Sequence, residues 1–353
     1  MTAAPAPPRP APVRVLLVDD SAASRATLGA ILEADCGAVV VGGAADGEQA
    51  LAEALRLEPD LILLDLDMPR MDGFTFLRLL MGRRPTPVVV VSALSSRSDV
   101  FKALELGALD FVPKPEGDGL ETLRAALVQK CQLLRSLRIE NLAPPAAPAV
   151  RGAQPAALSE PAAVVAIGAS TGGPQAIQRL LAALPGSLPA AIVVAQHMPE
   201  KFTAAFAERL GRTTAFSARE ARDGDVVAAG RVLVAPGGRI LEVVRDRGGT
   251  LRAAVHAPDP RAPRAYCPSV DRLFESVARA VGRRALAVVL TGMGHDGCAG
   301  VEAVKRAGGA TLAESSESAV VYGMPLAAVE SGAVDEVLAL PALAERIVRF
   351  GGG

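Results

Sequence analysis

VVAIGASTGG at 164–173, AIVVAQHMP at 191–199 and LAVVLTGMGHDG at 286–297 decide the fold of the second half of this 353-residue chain. Each is a short apolar run that breaks abruptly into glycine, proline and polar residues. That pattern predicts a strand buried on both faces and ending at a sheet edge. RVLVAP (231–236) reads the same way, and helical patterns lie between the runs, so the expectation is an α/β domain with a parallel sheet. RILEVVRDRGGTLRAAVHA (239–257) reads instead as an antiparallel hairpin turning at Arg247-Gly248-Gly249. In a parallel sheet the strand ends converge on one crevice. Three of these strand ends finish on Ser170, His197 and Asp296. A hydroxyl, an imidazole and a carboxylate supply a nucleophile, a base and an orienting acid, so hydrolytic acyl transfer is the leading reading.

Two other chemistries compete for the glycine-rich turn. Gly168-Ala169-Ser170-Thr171-Gly172 fits G-x-S-x-G between a strand and the helix pattern PQAIQRLLAAL. A dinucleotide site wants G-x-G-x-x-G and an acid ending the next strand, but Ser170 replaces the second glycine and Gln196-His197 the acid. An ordinary α/β-hydrolase runs serine, acid, histidine, whereas the order here is Ser170, His197, Asp296. Any triad therefore belongs to another lineage. Of the three histidines, His256 falls in the hairpin and His295 in a glycine-rich turn, which leaves His197 as the base. Asp296 has a competing role as N-cap of the helix that follows it. His295 and Cys298 have ligand-like spacing, but two ligands without companions do not make a metal site.

The first half repeats the alternation with different chemistry. VRVLLVDD (13–20), AVVVGGA (38–44), LILLDLD (61–67), PVVVVSA (87–93) and LDFVPKP (109–115) predict five parallel strands with helices between them. Their ends carry Asp19, Asp20, Asp65, Ser92 and Lys114. Carboxylates crowded at one edge repel, and either a lysine ammonium or a divalent cation with oxygen ligands relieves them. Mg²⁺ suits such a shallow site because it keeps water and accepts phosphate oxygens. A final helix near 119–138 runs past the end of this domain into Ala/Pro-rich sequence. The expected boundaries are 13–131 for the first domain, 132–160 for a semi-rigid linker and 161–350 for the second domain.

Composition narrows the function classes. A formal net charge of −1 gives no electrostatic case for a nucleic-acid partner. The long uncharged stretches 161–178 and 180–199 are broken by Gly, Pro, Ser, Thr and Gln, so no membrane insertion is expected. MTAAPAPPRPAPVR at the start lacks the apolar core of a signal peptide, and four scattered cysteines without a C-x-x-C pair suit a reducing compartment. The expectation is a cytoplasmic protein.

VLLVDDS, LDLDMPRMDG, VSA and FVPKP, in that order, resemble a two-component receiver domain. The resemblance implies a flavodoxin-like fold in which Asp65 accepts a phosphoryl group from a histidine kinase. Asp19, Asp20 and Asp65 would hold Mg²⁺, Ser92 and Lys114 would engage the phosphoryl oxygens, and Phe111 takes the aromatic switch position. IGASTGGP, VAQHMPEKFTAAFAERL, LVAPGG, PSVDRLF, LTGMGHDG and YGMPLAAVESGAVDEVL follow. With the receiver, they resemble the chemotaxis protein-glutamate methylesterase/glutaminase family over nearly the whole chain. That implies a doubly wound α/β catalytic domain with a Ser170–His197–Asp296 triad and the Met293 amide at the oxyanion. The implied substrates are glutamyl γ-methyl esters and glutamines of methyl-accepting chemoreceptors, with metal needed only at the receiver.

Two positions depart from the family pattern. Tyr266-Cys267 stands ahead of PSVD where a His-Arg-type pair is usual, and Arg239-Ile240 replaces a histidine-containing run after LVAPGG. The resemblance also implies that the unphosphorylated receiver restrains the catalytic crevice. The alternatives are the same chemistry in a non-flagellar chemosensory-like pathway, or a non-catalytic response-regulator adaptor.

Overall fold

Apolar strands alternating with amphipathic helices give two separate parallel sheets in the computed structural model, which describes residues 12–92, 97–114, 119–133, 137, 139–141, 159–259 and 266–352. The chain divides into units Met1–Arg135 and Ser136–Gly353.

In the first unit, β1 (Val13–Val18), β2 (Ala38–Ala44), β3 (Leu61–Leu64), β4 (Val88–Ser92) and β5 (Asp110–Pro113) pair in the order β2-β1-β3-β4-β5. All pairings are parallel, as expected. The helices are α1 (Ala22–Asp35), α2 (Gly47–Leu57), α3 (Gly73–Arg83), α4 (Arg97–Glu105) and α5 (Leu120–Leu133). Strand order reverses between β1 and β3, which opens a crevice at their carboxyl ends. Ser21 caps α1 by accepting from the Ser24 amide at 3.3 Å. Asp19 instead turns its carboxylate inward.

In the second unit, β6 (Ala163–Ala169), α6 (Gly173–Ala183), β7 (Ala190–Gln196), α7 (Thr203–Thr213), β8 (Ser217–Glu220) and β9 (Arg231–Val234) build one side of the sheet. The hairpin β10 (Ile240–Arg245) and β11 (Leu251–His256) follows, and then α8 (Val270–Val281). The other side is β12 (Ala285–Val289), α9 (Cys298–Arg306), β13 (Ala310–Glu314), α10 (Met324–Glu330), β14 (Glu336–Leu338) and α11 (Leu340–Gly352). The seven strands run β14-β13-β12-β6-β7-β9-β8, all parallel. Every residue of β6, β7 and β12 is buried, as a sheet covered on both faces requires. The hairpin pairs Ile240 with His256 and Arg245 with Leu251, and its turn lies at Asp246–Thr250 as the sequence predicts. Its inner face, with Leu241, Val243, Leu251 and Ala253, shares a core with Leu273, Phe274 and Val277 of α8.

The structure adds three strands that the sequence reading left out: β8, β13 and β14. β8 is a sheet-edge strand of sequence SARE with no fully buried residue, and β14 has three residues, so neither carries a long apolar run. Within the expected linker, Leu137 bridges antiparallel to Val321, and Asn141 Nδ2 donates to the carbonyls of Ser316 and Ala319 at 3.2 and 2.9 Å. Of the expected linker, 134–136, 138 and 142–158 lie outside the described residues.

Candidate active site

The strand order of the second unit reverses between β6 and β12, so the carboxyl ends of β6, β7 and β12 frame one crevice. Ala169 is paired with Gln196, and the His197 amide donates to the Ala169 carbonyl at 3.0 Å. Ser170 and His197 are therefore the next residues along two strands about 4.8 Å apart. The Ser170 amide donates to the Thr291 carbonyl at 3.0 Å, which ties the serine to the end of β12 on its other side.

Glycine makes this convergence possible. A Cβ on Gly292 would sit 2.5 Å from Met324 Sδ and 2.7 Å from Ser170 Cβ. One on Gly173 would collide with Gln196 Oε1 at 2.1 Å. Gly172 caps α6 at φ +77°, a left-handed conformation that favours glycine and lets the chain turn sharply after the serine. Buried Gln196 spans the two strand ends, its Nε2 donating to the carbonyls of Ser170 at 2.8 Å and His197 at 3.1 Å.

His197 Nε2 meets Asp296 Oδ2 at 2.8 Å. The other ring nitrogen, Nδ1, is buried and has no hydrogen-bond partner among the described residues. With the Nε2 proton committed to a carboxylate, the neutral ring presents the Nδ1 lone pair as its basic site. No hydrogen bond joins Ser170 Oγ to His197 among the described residues, a looseness that is common before substrate binds.

Asp296 does not cap its own helix, which corrects the competing local reading. Gly297 occupies the N-cap of α9, with no side-chain cap. Asp296 reaches instead to the start of α8, accepting from the amides of Val270 at 2.8 Å and Asp271 at 2.9 Å and from Ser269 Oγ at 3.3 Å. Asp271 returns the arrangement: its Oδ1 accepts from the amides of Gly297 at 2.9 Å and Gly300 at 2.7 Å at the start of α9. The two helices exchange capping carboxylates. Burial alone would raise the Asp296 pKa, but the His197 hydrogen bond and charge and the two α8 amides outweigh it and hold it below the usual carboxylate range. For Asp271 burial wins, and with the Asp296 charge nearby its pKa is pushed up to about 6.

Around the loop after β12, Thr291 N–H donates to buried Glu314 Oε2 at 2.8 Å, and Gly292 N–H donates to the Val321 carbonyl at 3.0 Å. Met324 N–H donates back to the Gly292 carbonyl at 2.7 Å. The Met293 amide makes no hydrogen bond among the described residues, so it remains an available donor at the rim. His256 pairs with Glu242 at 3.1 Å on the exposed hairpin, and His295 is exposed in its turn. Burial of Cys298 raises its thiol pKa to about 11.

In the first unit, ligand oxygens of Asp19, Asp20 and Asp65 lie within 4.8 Å of one another, the sole such grouping among the described residues. Asp19 and Asp65 are buried and Asp20 is exposed. Lys114 Nζ lies 2.5 Å from Asp65 and 3.0 Å from Asp19. Burial raises the Asp65 pKa beyond what Lys114 offsets. Burial opposes the charge on Lys114, yet its two carboxylate partners raise its pKa on balance. Ser92 Oγ is buried at the end of β4 with no partner among the described residues, while Phe111 is buried within β5. An all-oxygen acidic cluster with an unsatisfied hydroxyl and one lysine fits a small divalent cation and an incoming phosphoryl group.

The sequence reading missed Gln196 as a brace, Glu314, Asp271 and the contact that Tyr266 makes, described below. Gln196 carried a local signal, since it stands where a dinucleotide fold would place an acid, and Tyr266 stood out only as a departure ahead of PSVD.

Residues 165–347 match the family model described as CheB methylesterase, and 15–127 match the response regulator receiver domain. A protein-glutamate methylesterase/protein-glutamine glutaminase of Anaeromyxobacter dehalogenans is 64% identical over 339 residues, 96% of this chain and 95% of that protein. Its Myxococcus xanthus counterpart is 50% identical over 94% of this chain and 96% of that one. Among solved structures, the Thermotoga maritima CheB methylesterase catalytic domain aligns with a TM-score of 0.50 at 37% identity, covering 54% of this chain and 99% of that one.

Proposed function

Because this chain belongs to the CheB methylesterase family and carries a response regulator receiver, we propose that it is a phosphorylation-regulated serine hydrolase acting on glutamyl side chains of chemoreceptors. The reaction is hydrolysis of γ-methyl esters to carboxylate and methanol, with deamidation of glutamine as the same steps releasing ammonia. Ser170 Oγ attacks the carbonyl while His197 Nδ1 takes its proton. Asp296 holds the ring through Nε2 and balances the imidazolium. The Met293 amide and the start of α6 face the developing oxyanion. His197 returns the proton to the leaving group, then activates the water that clears the acyl-enzyme.

The observation that carries this reading is the buried Nδ1, without a partner among the described residues, of an imidazole fixed 2.8 Å from Asp296 and one ladder step from Ser170. Ser170→Ala tests it. Methanol release from methylated receptor membranes should fall by about 10⁶-fold in kcat, with folding unchanged by thermal denaturation. Retention of near-parental turnover would remove the serine from its role.

In the receiver, Asp65 takes the phosphoryl group from a histidine kinase; Asp19, Asp20 and Asp65 would hold Mg²⁺, which would supply charge neutralisation there. Lys114 and Ser92 bind the phosphoryl oxygens, and Phe111 responds as the switch. The ester chemistry itself uses only the three side chains at the second crevice. Among the described residues, no helix is long and apolar enough to cross a membrane.

A further inference from the structure

Tyr266 lies flat against His197: the ring centroids are 4.7 Å apart and the planes 2° from parallel. His295 meets the tyrosine ring edge-on at 6.3 Å and 78°. The far end of the tyrosine rests on Gly294, where a Cβ would sit 2.6 Å from the phenol oxygen. Gly294 has φ +94°, so a side chain there is disfavoured twice over. The phenol ring is thus located by the imidazole at one end and by the loop after Met293 at the other. Among the described residues, His197 has a single hydrogen bond from its ring, and one bond leaves rotation about that axis undetermined.

We infer that Tyr266 is a positioning residue for the His197 base, fixing the plane of the imidazole so that Nδ1 stays available to Ser170 and stabilising the imidazolium once the serine proton has moved. This rests on the acyl-transfer reading above. A cation within about 6 Å of a tyrosine face is attracted to it, more strongly when shielded from water. The attraction grows only when the ring becomes charged, so it lowers the barrier rather than tightening substrate binding.

Other charges face the same ring. Asp296 holds Nε2, Asp271 stands behind it across the two helix starts, and His295 lies on the edge of Tyr266. Arg239 acts electrostatically on neighbouring Cys267. None of these is altered by exchanging the tyrosine face for an aliphatic side chain.

The test compares full-length Tyr266→Phe, Tyr266→Leu and Tyr266→Met, measuring kcat and KM for methanol release from methylated receptor membranes across pH. Tyr266→Phe, which keeps the face, should retain kcat close to the parent. Tyr266→Leu and Tyr266→Met should lose roughly 3- to 30-fold in kcat with KM unchanged, and the acidic limb of the profile should move to lower pH. Equal kcat and equal limbs for the phenylalanine and aliphatic variants would overturn the inference, as would a loss confined to KM. If the leucine variant does not fold, the methionine variant decides. Ser170→Ala run alongside separates the two failures: turnover by that variant sinks the acyl-transfer reading, whereas its silence with indifferent aliphatic variants sinks only the role of Tyr266.

Discussion

Asp65 and Asp296 occupy corresponding places in two parallel sheets, each buried at a carboxyl edge, yet their acidities move in opposite directions. Burial penalises the charge on both. Asp65 has one lysine to offset the penalty and a second carboxylate, Asp19, adding to it. Asp296 has an imidazole and two helix amides, and these prevail. The neighbours decide the sign. An undersatisfied carboxylate is poised to accept new bonds, whereas a fully satisfied one serves as a fixed point against which another group can be aimed.

Four substitutions probe this contrast, from the largest effect to the smallest. Asp65→Ala should abolish phosphate incorporation from a phosphodonor while leaving basal methanol release intact; unchanged labelling would mean that the poised carboxylate is elsewhere. Asp296→Asn should cost about 10⁴-fold in kcat, because the ring loses the partner that selects its tautomer. A loss below tenfold would show that the Tyr266 ring aims the imidazole without it. Gly292→Ala places a methyl group 2.7 Å from Ser170 Cβ and 2.5 Å from Met324 Sδ. It should cost about 1–3 kcal/mol of stability, read by chemical denaturation, and about 10²-fold in rate through displacement of the serine.

The smallest effect is a pH dependence. Asp271 has a pKa of about 6 in the fold against an ordinary 3.8, so the folded state holds its proton more tightly than the unfolded chain. Its contribution to stability is present below the lower value and is lost as pH rises through the higher one. Asp271→Asn keeps an oxygen for the Gly297 and Gly300 amides without the charge. Its stability relative to the parent should therefore improve steadily between about pH 4 and pH 6 in denaturant titrations. A difference that stays flat across that window would place the strain elsewhere in the pair.

Most of the architecture was legible because parallel strands buried on both faces must be apolar throughout. β6, β7 and β12 announce themselves, and the polar residues at their ends name the crevice. β8 and β14 were not legible because an edge strand or a three-residue strand needs no apolar run. Among site residues, Ser170, His197 and Asp65 are conspicuous at strand ends. The orientation of Asp296 was not, since local sequence places it beside α9 while packing turns it to α8. Tyr266 was visible only as an unusual residue in a family motif. Its ring contact depends on two chain segments whose separation in sequence carries no periodic signal.

The crossed capping of α8 and α9 has a consequence for how this molecule fails. Neither acid can be shifted alone, because each closes the helix that begins beside the other. Warming that frays either first turn must also release the imidazole, so loss of turnover and loosening of this end of the sheet should be one event. The enzyme's inactivation temperature then serves as a gauge of cohesion at that corner.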